Sequence, residues 1–95
     1  MEIRIQSVKF DADKKLLEVI EKKVSRLERF NSSITSVDVT LSLSQEHANK
    51  DVKVIAHVPG TSLVVERSEK TFEQAVTECV DLLKEKIVRN KERQE

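Results

Sequence analysis

The stretch "SVDVTLSLS", residues 36 to 44, constrains the fold more than any other part of the chain. Val37, Val39, Leu41 and Leu43 alternate with Asp38, Thr40 and Ser42 without a break. A period of two puts the aliphatic side chains on one face of an extended strand and the polar ones on the other. Such a strand belongs in a sheet with one covered face and one wet face. After the polar turn "QEHANK", the run "DVKVIAHV" (51 to 58) repeats the pattern with Val52, Val54, Ala56 and Val58. Pro59-Gly60 turns the chain again into "SLVVERS", where Leu63 and Val65 are expected to point inward, with Val64 the competing choice. Near the start, Ile3 and Ile5 alternate with Arg4 and Gln6, predicting a short strand over residues 2 to 8.

Two other segments follow a helical period instead. In "KKLLEVIEKKVSRLERF", Leu16, Ile20, Val24 and Leu27 recur every three or four positions. This predicts a helix over residues 12 to 30, capped by Asp11 or Asp13 and ended at Asn31-Ser32-Ser33. Thr71 and Gln74 have the spacing of a capping box, and Phe72, Val76, Cys79, Leu83 and Ile87 make the apolar stripe of a second helix. The element order is therefore β-α-β-β-β-α. A helix between the first two strands implies a right-handed crossover and parallel neighbours. Short turns make the last three strands an antiparallel meander. The expected architecture is a two-layer α/β (α+β) sandwich: a four-stranded mixed sheet with two helices on one face.

At 95 residues the chain suits one domain spanning 1–95. No stretch approaches the roughly 20 apolar residues of a membrane span, and Met1-Glu2-Ile3-Arg4 is not the start of a signal peptide. Cys79 is the single cysteine, so an internal disulfide is excluded and a reducing cytoplasmic setting is expected. Seventeen basic residues balance 17 acidic ones. Indiscriminate binding to polyanions is disfavoured, while a local basic face is not.

Around the first helix, Lys15, Lys22, Arg26 and Arg29 fall on one flank of the apolar stripe, with Glu21 and Glu28 on the other. Like charges three or four apart cost a few tenths of a kcal/mol, a small cost that an anionic partner would remove. The second helix has Glu73, Glu78 and Asp81 in its first half. Its pattern outlasts the apolar stripe, because Asn90, Arg93 and Gln94 follow Ile87. That projecting end carries Lys86, Arg89, Lys91 and Arg93. Acids early and bases late also complement the helix macrodipole, and a charged end aids solubility, so this arrangement has a purely structural explanation as well. If the helical layer works, its cations are expected to face one way. They would meet phosphate, because the only aromatics are three phenylalanines and two of these, Phe30 and Phe72, sit at helix-core positions. Structured RNA fits better than a single strand. A general double-stranded-RNA-binding module, or a protein-interaction adaptor using Ile55 and Val64 on the wet sheet face, would share this outline.

Catalysis has little visible equipment. Cys79 lies in an apolar stripe, His47 in a turn and His57 on the wet side of the sheet, which is no metal-ligand spacing. Gly60 is the only glycine, too few for a phosphate-cradling loop, and helix capping accounts for Asp11 and Asp13. No enzymatic activity, metal, cofactor or small-molecule substrate is expected.

The β-α-β-β-β-α order, "EKKVSRLERF" and "TFEQAVTECVDLLKEKIVRNKERQE" together resemble the ribosome hibernation-promoting factors. These are also known as ribosome-associated translation inhibitors, protein Y or sigma-factor modulation proteins. Phe72, Ala75, Val76, Asp81 and Leu83, then Arg89, Lys91 and Arg93, occupy the places of the family's last-helix pattern. The resemblance implies binding to rRNA in the mRNA and tRNA channel of the small ribosomal subunit under stress or in stationary phase. It implies a short form that relies on a separate factor wherever ribosomes are dimerised. Carried over by position, Arg89, Lys91 and Arg93 match the basic run most directly, with Lys86 beside them. Lys22, Lys23, Arg26 and Arg29 match the basic first-helix segment. Glu85 interrupts the run, and Asn90 stands where relatives often carry a basic residue or histidine.

Overall fold

The computed structural model describes residues 1–45 and 49–94, with side chains through residue 90; His47 of the expected turn lies outside the described residues. Strand β1 (Glu2–Ser7) leads into helix α1 (Lys14–Ser25) and a 3-10 turn (Arg26–Arg29). Strands β2 (Ser36–Leu43), β3 (Lys50–Val58) and β4 (Thr61–Glu69) follow, and helix α2 (Phe72–Gln94) closes the chain. The sheet order is β1-β2-β3-β4, with β1 parallel to β2 and the remaining pairs antiparallel, as the alternation and turn lengths predict.

Register aligns the apolar rows. Ile5 pairs with Val39, Val39 with Val54 and Val54 with Val65, so one row of aliphatics crosses the sheet. These residues share one core with Ile20, Val24 and Leu27 of the first helical segment and Val76, Cys79, Leu83 and Ile87 of α2. Both helices therefore cover the same sheet face. Leu63 and Val65 point inward and Val64 stays exposed, which resolves the choice in the fourth strand.

Asp13, not Asp11, caps α1: its Oδ1 accepts the Leu16 N–H at 2.8 Å. Asp13→Ala should destabilise the fold by about 1 kcal/mol, read as a lower urea midpoint with an unchanged slope. At α2, Thr71 Oγ1 accepts the Gln74 N–H at 3.1 Å, forming the threonine half of the expected box.

The first helix departs from expectation at its end. Instead of running as one α-helix to residue 30, it tightens into a 3-10 turn after Ser25. Ser25 Oγ donates to the Lys22 carbonyl at 2.8 Å and the Phe30 N–H donates to the Leu27 carbonyl at 3.0 Å. A serine bonding back to the preceding turn competes with the regular ladder, and i to i+3 bonding takes over. Leu27 stays fully buried through this change. Asn31 then ends the helix, its Oδ1 accepting the Ser33 N–H at 2.9 Å.

The link from β1 to α1 bends through Lys9, whose φ of 64° is in the left-handed region. That conformation costs a side chain energy. The bend delivers Phe10 onto Phe72, with ring centroids 5.2 Å apart and planes 7° from parallel. Aromatic packing between the β1–α1 link and α2 offsets the local strain.

Candidate nucleic-acid interface

Because β4 runs in the same direction as β1, two helices that each fold back over their preceding strand also run in the same direction. Side-chain contacts follow that arrangement. Lys23 and Arg26 share a small cleft with Thr77, Val80 and Asp81 of α2. One turn further along both helices, Lys84 Nζ sits 5.0 Å from the centre of the Phe30 ring, a cation–π contact. The C-terminal halves of both helices thus meet at one end of the molecule, with Arg26 and Arg29 from the first and Lys84, Lys86 and Arg89 from the second.

Among the residues singled out from the sequence, Lys22, Arg26, Arg29, Lys86 and Arg89 are exposed. Lys23 is half-buried and turned into the interhelical cleft. Lys91 and Arg93 lie on the described backbone of α2, while their side chains lie outside the described residues. Lys84 was not anticipated. Its signal was its place one turn before Val88, on the flank that meets Phe30 once both helices run the same way.

The α2 cations do not all face one way as expected. Lys86 Nζ lies 3.4 Å from the Val64 carbonyl of β4, and Lys86, Arg89, Asn90 and Leu63 line a groove of about 220 Å³ on that side. Lys84 points to the opposite side, toward the first helical segment. Between the two flanks, the outer surface of α2 presents Asp81, Glu85 and Val88, all exposed. The period of 3.6 residues causes this division, because positions 84 and 86 are about 160° apart around the axis.

Charge pairing separates the two layers. Among the described residues, the ion pairs are Arg4–Glu2, Arg4–Asp38, Lys53–Glu66, His57–Asp38 and Arg67–Glu78. Every one of them includes a strand residue, and none engages Lys22, Lys23, Arg26, Arg29, Lys84, Lys86 or Arg89. Exposed pairs stabilise little individually. Their distribution shows which cations are free to meet an external anion.

The open sheet face is tied together instead. Arg4 of β1 donates to both carboxylate oxygens of Asp38 on β2, the Nη2 contact being 3.1 Å. His57 Nε2 of β3 lies 2.8 Å from Asp38 Oδ2, and its Nδ1 lies 2.9 Å from Ser62 Oγ on β4. The chain of bonds crosses all four strands. The Asp–His–Ser order is also that of a hydrolytic triad. The roomier groove on this face, about 260 Å³, runs along Thr40, Ser42, Asp51 and Glu66, away from Ser62.

Hydrogen bonds from Arg4 and then His57 hold the Asp38 carboxyl at about 2, below the usual carboxylate range. A carboxyl depressed by folding stabilises the fold above its ordinary value near 4, and that contribution is lost as pH falls toward 2. Asp38→Asn should therefore flatten the acid limb of stability. Urea midpoints at pH 7, 4 and 2 would show a smaller acid loss for the variant than for the parent chain.

Among the described residues, no group of three or more His, Cys, Asp or Glu stands close enough to hold a metal ion, and no helix is long and apolar enough to cross a membrane. Burial pushes the Cys79 thiol up to about 12, consistent with its place as a small core side chain.

Residues 3–95 match the family model described as sigma 54 modulation protein / S30EA ribosomal protein. The chain is 29% identical over 94 residues to a ribosome hibernation promoting factor of Azotobacter vinelandii, covering 99% of this chain and 86% of that protein. The fold is similar to the crystal structure of the protein Y N-terminal domain from Thermus thermophilus, with a TM-score of 0.82 and 23% identity over 94% of this chain and 98% of that one. It is also similar to a ribosomal subunit interface protein from Coxiella burnetii, with a TM-score of 0.87 and 19% identity over 96% of this chain and 98% of that one.

Proposed function

The chain belongs to the sigma 54 modulation protein / S30EA ribosomal protein family, and on that premise we propose that it silences idle ribosomes by lying on rRNA in the mRNA and tRNA channel of the small ribosomal subunit. It does so in the cytoplasm, under stress or in stationary phase. The action is occupancy without catalysis: a folded domain fills a channel that translation needs. One observation carries the reading. Exposed cations of the helical layer have no acidic partners among the described residues, whereas charges on the open sheet face are paired. The name of the Azotobacter relative supports the hibernation role. Where ribosomes become dimerised, a separate factor acts alongside this chain.

Phosphate contacts of this kind release counterions, so affinity should fall steeply with salt. Co-sedimentation with purified small subunits across a salt series tests the proposal, with a plain RNA duplex as comparator. Strong, salt-dependent binding to the subunit and weak binding to the duplex is the expected result. Equal binding to both would favour a general double-stranded-RNA module. Binding that ignores salt and disappears on Ile55→Ala would move the function to the open sheet face.

A further inference from the structure

Helix α2 divides its cations between two flanks, and the surface between those flanks is hostile to phosphate. On the first-helix side, Lys84 lies over Phe30, with Arg26 close by in the interhelical cleft. On the β4 side, Lys86 and Arg89 line the groove with Leu63 and Asn90. A helix with its side chains is about 10 Å across, so opposite flanks cannot share one phosphate. A single strand draped across α2 would have to pass over Asp81, Glu85 and Val88, two carboxylates and an exposed aliphatic. Like-charge contact would repel it.

An independent observation marks the β4 flank. The Asn90 amide nitrogen is enclosed and has no hydrogen-bond partner. Buried donors are nearly always satisfied, so an orphaned one at the floor of a cationic groove suits an incoming oxygen acceptor. Lys86 blocks that groove only weakly, through a long 3.4 Å contact to the Val64 carbonyl.

We infer that the RNA element bound by this chain presents two separate backbone segments, one to each flank of α2, with the helix seated between them. The ligand class is a folded RNA with paired backbones bordering a groove or junction. This deepens the proposed function and rests on its assignment of the helical layer to rRNA.

The test uses the full chain and purified small subunits. One variant removes the first-helix flank (Arg26→Ala with Lys84→Ala), a second removes the β4 flank (Lys86→Ala with Arg89→Ala), and a third combines all four. The substituted side chains are exposed, and thermal melts confirm that each variant is folded. Each pair should make the slope of log affinity against log salt shallower by about 1 to 2, and the combined variant by their sum. Hydroxyl-radical footprinting should show two protected rRNA backbone stretches, with each flank variant losing a different one. A single protected stretch lost in both variants, or a slope change confined to one pair, overturns the two-backbone inference while leaving rRNA binding intact. A parent chain whose binding ignores salt overturns the proposed function itself, and this inference with it.

Discussion

Changing Arg89, Lys91 and Arg93 together to alanine should weaken binding to small ribosomal subunits on the order of a few hundredfold at about 0.1 M salt. The magnitude follows from counterion release: three lost phosphate contacts change the salt exponent by about 2.7. The fold should survive. These positions follow Ile87, the last fully buried residue of α2, so their side chains lie past the end of the core stripe. Sedimentation across a salt series reads both consequences, a lower affinity and a shallower slope. Parent-like binding at moderate salt would remove these residues from the interface, whatever the rest of the helical layer does.

Leu83→Ala should act through the opposite route. Leu83 is 0% exposed in the core that α2 shares with the sheet. Truncating a buried leucine costs about 2–5 kcal/mol, from lost burial and the cavity left behind. Domains of this size have only about 5–15 kcal/mol in total. Urea denaturation should show a large fall in midpoint. Binding should fall only in proportion to the unfolded fraction, with its salt slope unchanged. That contrast separates a residue that builds the domain from residues that contact RNA.

The fold was largely legible because its signals are local. The alternation in residues 36 to 44 fixed which face of β2 is covered, and its register with β1 and β3 carried that choice across the sheet. The 3-10 turn at Arg26–Arg29 was not legible. Over a single turn, spacings of three and of 3.6 place Leu27 on nearly the same face, and the Ser25 back-bond that selects between them has no periodic signature. Nor could the chain itself announce the network of Arg4, Asp38, His57 and Ser62. Those residues come from four strands and meet only through register. The candidate site was half legible. Basic residues on each helix were visible along the chain, and the exposure of Arg26, Arg29, Lys86 and Arg89 agrees with their expected positions. Their directions were not. Which flank of α2 meets Phe30 and which meets Val64 depends on the relative direction of the helices, a property of topology.

The burial of Cys79 has a consequence for endurance in a stressed cell. Sulfur oxidation by peroxide begins at the thiolate, and a thiol held at about 12 supplies almost none of it near neutrality. Met1 is the only other sulfur-containing residue, and the chain has no tryptophan or tyrosine. The core is thus sealed against the first rung of oxidative damage, and the cations around it are chemically inert to the same agents. A molecule built this way should keep its shape through an oxidising episode without needing a reductase to restore it.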